Sequence, residues 1–226
     1  LITNVSHDIK TPLTSIINYV DLLKRENIQD PKIQGYLDIL EAKAQRLKHL
    51  TEDVVEASKI SSGNITMEYM NINFVEMINQ TTGEFAEKFE KRNLQIVLNV
   101  PEKPVMVRTD GRRMWRVIEN IYNNAAKYAL EGTRVYADLI EKEHTVEFSL
   151  KNISEQPLNI SADELTERFI RGDVSRSTEG SGLGLSIAKN LTELQGGKFE
   201  LYLDGDLFKV TIVFPKAVVG QSVTKS

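Results

Sequence analysis

Apolar residues recur along the first sixty positions at alternating steps of four and three. Val5, Ile9, Pro12, Ile16, Val20 and Leu23 form one such stripe, which predicts an amphipathic helix running to about Glu26. Asn27, Asp30 and Pro31 supply breaker and restart signals, with Asp30 as cap and Pro31 in the first turn of a second helix. There Ile33, Leu37, Leu40, Ala44, Leu47, Thr51, Val54 and Ser58 hold a heptad register, fading at the C-terminal end. Two helices cannot bury both stripes alone. Pairing with a second copy into a four-helix bundle, a homodimer, is the expected solution. A monomeric hairpin docked on the rest of the chain is the alternative.

Beyond Ser61-Ser62-Gly63-Asn64, which reads as a linker, the period changes. Strands are expected at about 66–72, 94–100, 105–108, 133–139, 145–152, 198–203 and 208–214. Helices are expected over about 74–91, 111–129 and 183–194. The predicted fold class is α+β: an antiparallel helical hairpin, then an α/β sandwich with a mixed sheet and helices on one face. The expected divisions are a helical domain over 1–60, a linker over 61–64, a second domain over 65–215 and a polar tail over 216–226.

Composition narrows the function classes. At 226 residues, 41% hydrophobic and 27% charged, the sequence is ordinary for a soluble globular protein. A net charge of −4 gives no global affinity for nucleic acid or anionic membranes. The absence of cysteine excludes disulfides and thiolate metal sites and fits a reducing cytosol. No apolar run is long enough to span a membrane, and no signal peptide is visible. Because the sequence opens inside a helical pattern, it is expected to be a fragment of something longer.

Three stretches carry candidate chemistry. His7 lies two positions from both Val5 and Ile9, roughly 200° around the helix from each, and so points away from the seam. A neutral imidazole is a nucleophile near neutral pH. Asp8 beside it can accept a ring N–H and fix the tautomer, and Thr11 shares its face. A lone exposed histidine is more often just solvated. Asn120, Asn123 and Asn124 fall inside a predicted helix, where asparagine is unfavourable; Asn120, Asn124 and Lys127 align on a face away from Trp115, Ile118, Tyr122, Ala125 and Ala129. Amide oxygens suit a hard cation such as Mg²⁺. Gly180, Gly182 and Gly184 open a helix, where closely spaced glycines let backbone N–H groups approach a phosphate. Neither a dinucleotide fingerprint nor a P-loop is present.

Taken together, these stretches resemble the boxes of two-component sensor histidine kinases, in the family's order. Asn4-Val-Ser-His7-Asp8-Ile-Lys-Thr11-Pro-Leu-Thr14 resembles the H-box, and Asn120-x-x-x-Asn124-Ala-x-Lys127-Tyr128 the N-box. Glu167–Asp173 looks like the F-box, and Gly180-Ser-Gly182-Leu183-Gly184 the G2 box. The resemblance implies ATP-dependent phosphorylation of His7, then transfer to an Asp on the receiver domain of a response regulator. It implies Mg²⁺ on Asn124 with Asn120 assisting, Lys127 on the phosphates and Tyr128 near the base. Gly180, Gly182, Leu183 and Gly184 would lie along the nucleotide, with Arg171 and Arg176 as candidates for phosphate contact or else plain surface arginines. Thr11 would orient water for dephosphorylating the regulator, or else only satisfy backbone near the Pro12 bend. A cytoplasmic location and a membrane-anchored parent follow from the family pattern.

One box departs from the pattern. Where the family carries Asp-x-Gly-x-Gly after a strand, this chain reads Asn152-Ile-Ser-Glu-Gln-Pro-Leu158. The Asn152 amide oxygen can accept a hydrogen bond from the adenine amino group without charge assistance, so weakened or altered adenine recognition is expected; Asp163 is the competitor for that role. Two other function classes remain open. One is a degenerate kinase acting as a phosphatase or dimeric docking scaffold. The other is a water-hydrolysing ATPase of the GHKL type, against which stands Asn120 in the position where such ATPases place a glutamate.

Overall fold

The computed structural model describes residues 2–26, 28–63, 65–158 and 183–217, and for residues 2–8 and 61 only the backbone. The chain divides after residue 65 into two compact units.

The first unit is a helical hairpin of α1 (Ile2–Arg25) and α2 (Pro31–Ser61). Asp30 caps α2, its carboxylate accepting from the backbone N–H of Lys32 at 2.8 Å and Ile33 at 3.4 Å. Lys24 ties the helices together through Asp38 at 2.8 Å and Glu41 at 2.6 Å. The seam between them is narrower than the sequence stripe. Leu13 and Val20 pack with Leu37 and Ala44 in the buried set, whereas Ile9, Ile16, Leu23, Ile33, Leu40, Leu47 and Val54 are exposed. Leu13, one heptad before Val20, takes the inward position that the four-three reading gave to Pro12, which is exposed.

The second unit places three helices on one face of a mixed sheet. In the five-stranded sheet the order is β2 (Gln95–Asn99), β4 (Arg134–Glu141), β5 (Thr145–Ile153), β7 (Leu207–Pro215), β6 (Lys198–Asp204). The β2–β4 pair is parallel and the others antiparallel. Alternation along the central strands sends Val135, Ala137, Leu139, Val146, Phe148, Leu150, Val210, Ile212 and Phe214 into the core. α3 (Phe74–Glu90), α4 (Gly111–Tyr128) and α5 (Gly184–Leu194) cover that face. Tyr122 of α4 stacks on Phe148 of β5 with ring centroids 6.2 Å apart and an interplanar angle of 7°. Its hydroxyl shares a 2.8 Å hydrogen bond with Thr82 of α3.

A separate antiparallel pair, β1 (Tyr69–Asn73) with β3 (Met106–Asp110), starts α4. Asp110 is buried; one carboxylate oxygen accepts from the N–H of Arg112 and Arg113 at 3.0 and 3.1 Å, and the other from Glu68 at 2.9 Å. That last bond ends the ladder, so β1 begins at Tyr69 and not at Thr66 as the sequence pattern predicts. Burial acts to raise the Asp110 carboxyl, but these N–H donors and the Arg113 charge hold it below the ordinary carboxylate value. Asp110→Ala is expected to lower unfolding stability by about 1–2 kcal/mol at pH 7. Because the folded pKa is depressed, the difference shrinks as pH falls through it, which denaturant titrations at pH 7 and pH 3 would show.

Candidate active site

The four predicted residues on α4 do not share one environment. Asn120 is 8% exposed, and a Cβ built at Gly184 would lie 3.0 Å from its Oδ1. The glycine at the start of α5 is what allows α5 to lie that close to α4. Asn124, Lys127 and Tyr128 are half-buried one turn and two turns further on, and the Lys127 ammonium lies 4.8 Å from the Tyr128 ring centroid. Leu183 and Gly184 are half-buried at the start of α5, whose first turn carries no acidic residue, so its positive end is not offset locally.

A second cation borders this face. Lys88 of α3 donates to Asn123 Oδ1 at 2.5 Å. Burial lowers its pKa, Glu119 opposes that shift and the charge of Lys127 adds to it.

Asn152 lies near the end of β5 and is 3% exposed. Its Nδ2 donates to the Ile153 carbonyl at 3.1 Å, and its Oδ1 has no partner. Backbone bonds bring this strand end to the end of α4: Leu130 N–H to the Ile153 carbonyl and Glu155 N–H to the Tyr128 carbonyl, both at 2.8 Å. The structure thus gathers Asn120, Asn124, Lys127, Tyr128, Asn152 and Gly184 in one unit. Thr11 is exposed on α1, in the same helix as His7 and Asp8. The side chains of His7 and Asp8, and all of Arg171, Arg176, Gly180, Gly182 and Asp163, lie outside the described residues.

Among the described residues, the buried side-chain polar atoms without a hydrogen-bond partner are Asn120 Nδ2 and Asn152 Oδ1. A buried unmade hydrogen bond is costly, and here both belong to residues singled out as nucleotide contacts. The donor set fits ATP with Mg²⁺. No cluster of three or more His, Cys, Asp or Glu that could hold a metal occurs among the described residues. An amide oxygen with phosphates and water completing the shell is the arrangement Mg²⁺ favours. The unpartnered Asn120 Nδ2 is a donor, so it suits a phosphate oxygen or a metal-bound water better than the ion itself.

Sequence reasoning missed Arg92, Glu155 and Lys88. Arg92 follows α3 and reads as a solvated residue, yet it reaches the end of α4 and pairs with Glu155 at 2.9 Å. Nothing local in the sequence marks such a contact.

Among the described residues, no helix is long and apolar enough to cross a membrane. Residues 1–63 match the His Kinase A (phospho-acceptor) domain, and residues 109–218 match the histidine kinase-, DNA gyrase B-, and HSP90-like ATPase domain. Sensor protein VanSC of Enterococcus gallinarum is 31% identical over 219 residues, covering 96% of this chain and 60% of that protein. The chain therefore spans less than two thirds of that relative's length. Full-length ShkA in complex with AMPPNP shares the fold, with a TM-score of 0.80 at 20% identity over 97% of this chain and 46% of that one. Histidine kinase ThkA in complex with response regulator protein TrrA matches with a TM-score of 0.62 at 22% identity, over 95% and 60% of the two chains. With a phospho-acceptor domain match over residues 1–63 followed by an ATPase domain match over residues 109–218, the chain belongs to the two-component sensor histidine kinase family.

Proposed function

We propose that this core phosphorylates its own His7 from ATP and passes the phosphoryl group to an aspartate on a response regulator. The observation that carries the reading is the pair of buried orphan atoms, Asn120 Nδ2 and Asn152 Oδ1, both on residues singled out as nucleotide contacts. The AMPPNP seen with ShkA and the regulator seen with ThkA support it by likeness.

In this reading Asn152 Oδ1 accepts from the adenine amino group and Tyr128 borders the base. Lys127, Asn120, Leu183 and Gly184 would contact the phosphates together with Gly180 and Gly182, and Arg171 and Arg176 are the candidates for a further charge contact. Asn124 would hold Mg²⁺ through its amide oxygen, and the ion would supply neutralisation of phosphate charge. A His7 ring nitrogen attacks the γ-phosphorus, the bond to the β-phosphate oxygen breaks, and ADP leaves. Asp8 accepts the other ring N–H and stabilises the charge that develops on the imidazole. Most of the rate comes from positioning and electrostatics, as in phosphoryl transfer generally. Thr11, four residues beyond His7, orients water for regulator dephosphorylation.

The apolar positions that the hairpin leaves exposed, Ile9, Ile16 and Leu23 on α1 with Leu40, Leu47 and Val54 on α2, support a second copy completing a four-helix bundle. In this reading the core is cytoplasmic and belongs to a membrane-anchored parent protein.

The test is incubation with γ-labelled ATP and Mg²⁺, then acid and alkali challenge of the labelled protein. An acid-labile, alkali-stable label is the expected result. Absence of label from an intact dimer would turn the reading into a phosphatase or docking scaffold. Steady phosphate release without label would make it a hydrolytic ATPase.

A further inference from the structure

We infer that Arg92 is a positioning residue for the nucleotide: it fixes the spacing between α4, which carries Asn124 and Lys127, and the exit of β5, which carries Asn152. The inference rests on the ATP-binding reading above and deepens it.

The geometry is a four-way clamp. Arg92 is only part-exposed, with 28% of its side chain accessible. Its Nη1 donates to the carbonyls of Ala126 at 3.3 Å and of Lys127, and its Nη2 to the carbonyl of Ala129 at 3.1 Å and Glu155 Oε2 at 2.9 Å. The last carbonyls of a helix have no partner within the helix, and a cation there complements the negative end of its dipole. A planar guanidinium can serve three carbonyls and a carboxylate at once, which a lysine ammonium cannot match.

Glu155 is three residues beyond Asn152, so the clamp joins the C-terminal turn of α4 to the exit of β5. The main chain runs the same way: Glu155 N–H donates to Tyr128, Leu130 N–H to Ile153, and Ser154 N–H to the Asp206 carbonyl at 2.7 Å. A nucleotide held at both ends gains the second contact only if the two ends keep their spacing. A loose joint leaves the phosphate contacts in place and decouples them from the base contact. Arg92 therefore acts through Asn152 without touching the ligand.

The test is a double-mutant cycle read by AMPPNP binding in the presence of Mg²⁺, beside a phosphate-only probe, tripolyphosphate. Arg92→Gln is expected to weaken AMPPNP binding about tenfold, and Asn152→Ala to weaken it comparably. The double variant binds no worse than Asn152→Ala alone, because spacing no longer matters once the base contact is gone. Tripolyphosphate affinity stays at the wild-type value in Arg92→Gln, and Arg92→Lys loses less than Arg92→Gln. Additive losses in the cycle, or equal weakening of tripolyphosphate, would overturn the inference by making Arg92 a general support of the fold. Should Arg92→Gln not fold, the same cycle is run with Arg92→Lys and with Glu155→Gln, which removes one arm of the clamp. Absence of AMPPNP binding to the wild-type chain would instead remove the nucleotide reading itself, and this inference with it.

Discussion

His7→Gln is expected to reduce phosphoryl labelling to background while leaving the oligomeric state unchanged. The substitution removes the ring nitrogen lone pair, and an amide nitrogen is no substitute because its lone pair is delocalised into the carbonyl. Glutamine is a good helix former, so α1, which runs from Ile2 to Arg25, keeps its shape. The exposed apolar positions Ile9, Ile16 and Leu23 lie off the face that carries His7, so the surface offered to a second copy is untouched. Labelling with γ-labelled ATP, paired with sedimentation of the same sample, checks both halves. Retained label would move the phosphoacceptor to another residue.

Asn124→Ala is expected to reduce labelling about a hundredfold, the order seen when one preorganised electrostatic contact to a transition state is deleted. Asn124 is half-buried and not in the core, so thermal stability without nucleotide should move far less than labelling. The loss belongs to binding and positioning, and raising Mg²⁺ should recover little of it. Unchanged labelling would take Asn124 out of the site and leave the metal to another oxygen. An equal fall in melting temperature would mean that the side chain supports the fold instead.

Much of the fold is legible before any coordinates. The strands at Gln95–Asn99 and Thr145–Ile153 and the helices at Phe74–Glu90 and Gly111–Tyr128 fall within a residue or two of their sequence limits, because alternation and capping are local signals. Long-range contacts are where the sequence pattern is weaker. The β1 start moves from Thr66 to Tyr69 because the Glu68 N–H goes to a carboxylate 42 residues away. Trp115, placed on the apolar face, is half-buried, while Met114, Val117 and Ile121 are fully inside, since α4 is covered on two sides and its buried arc is wider than one stripe.

The site shows the same division. Asn120, Asn124, Lys127 and Tyr128 stand out because asparagine is unexpected in mid-helix, and Gly184 because glycines mark close approach. That Asn120 is buried beneath Gly184 while Asn124 is half-buried follows from how α5 crosses α4, which neither helix encodes alone. Arg92 gave no signal because its partners lie between 34 and 63 residues further along the chain.

The tether on the Asn152 amide bears on which purine the kinase accepts. Because Nδ2 donates to the Ile153 carbonyl, the bond favours one orientation of the amide, and the buried atom left without a partner is an acceptor. Guanine carries a carbonyl oxygen where adenine carries an amino group, so a guanine nucleotide would set lone pair against lone pair there. Preference for ATP over GTP would then come from a fixed dipole in place of the family's carboxylate, and with no proton to gain or lose at that position, it should be indifferent to acidification of the cell.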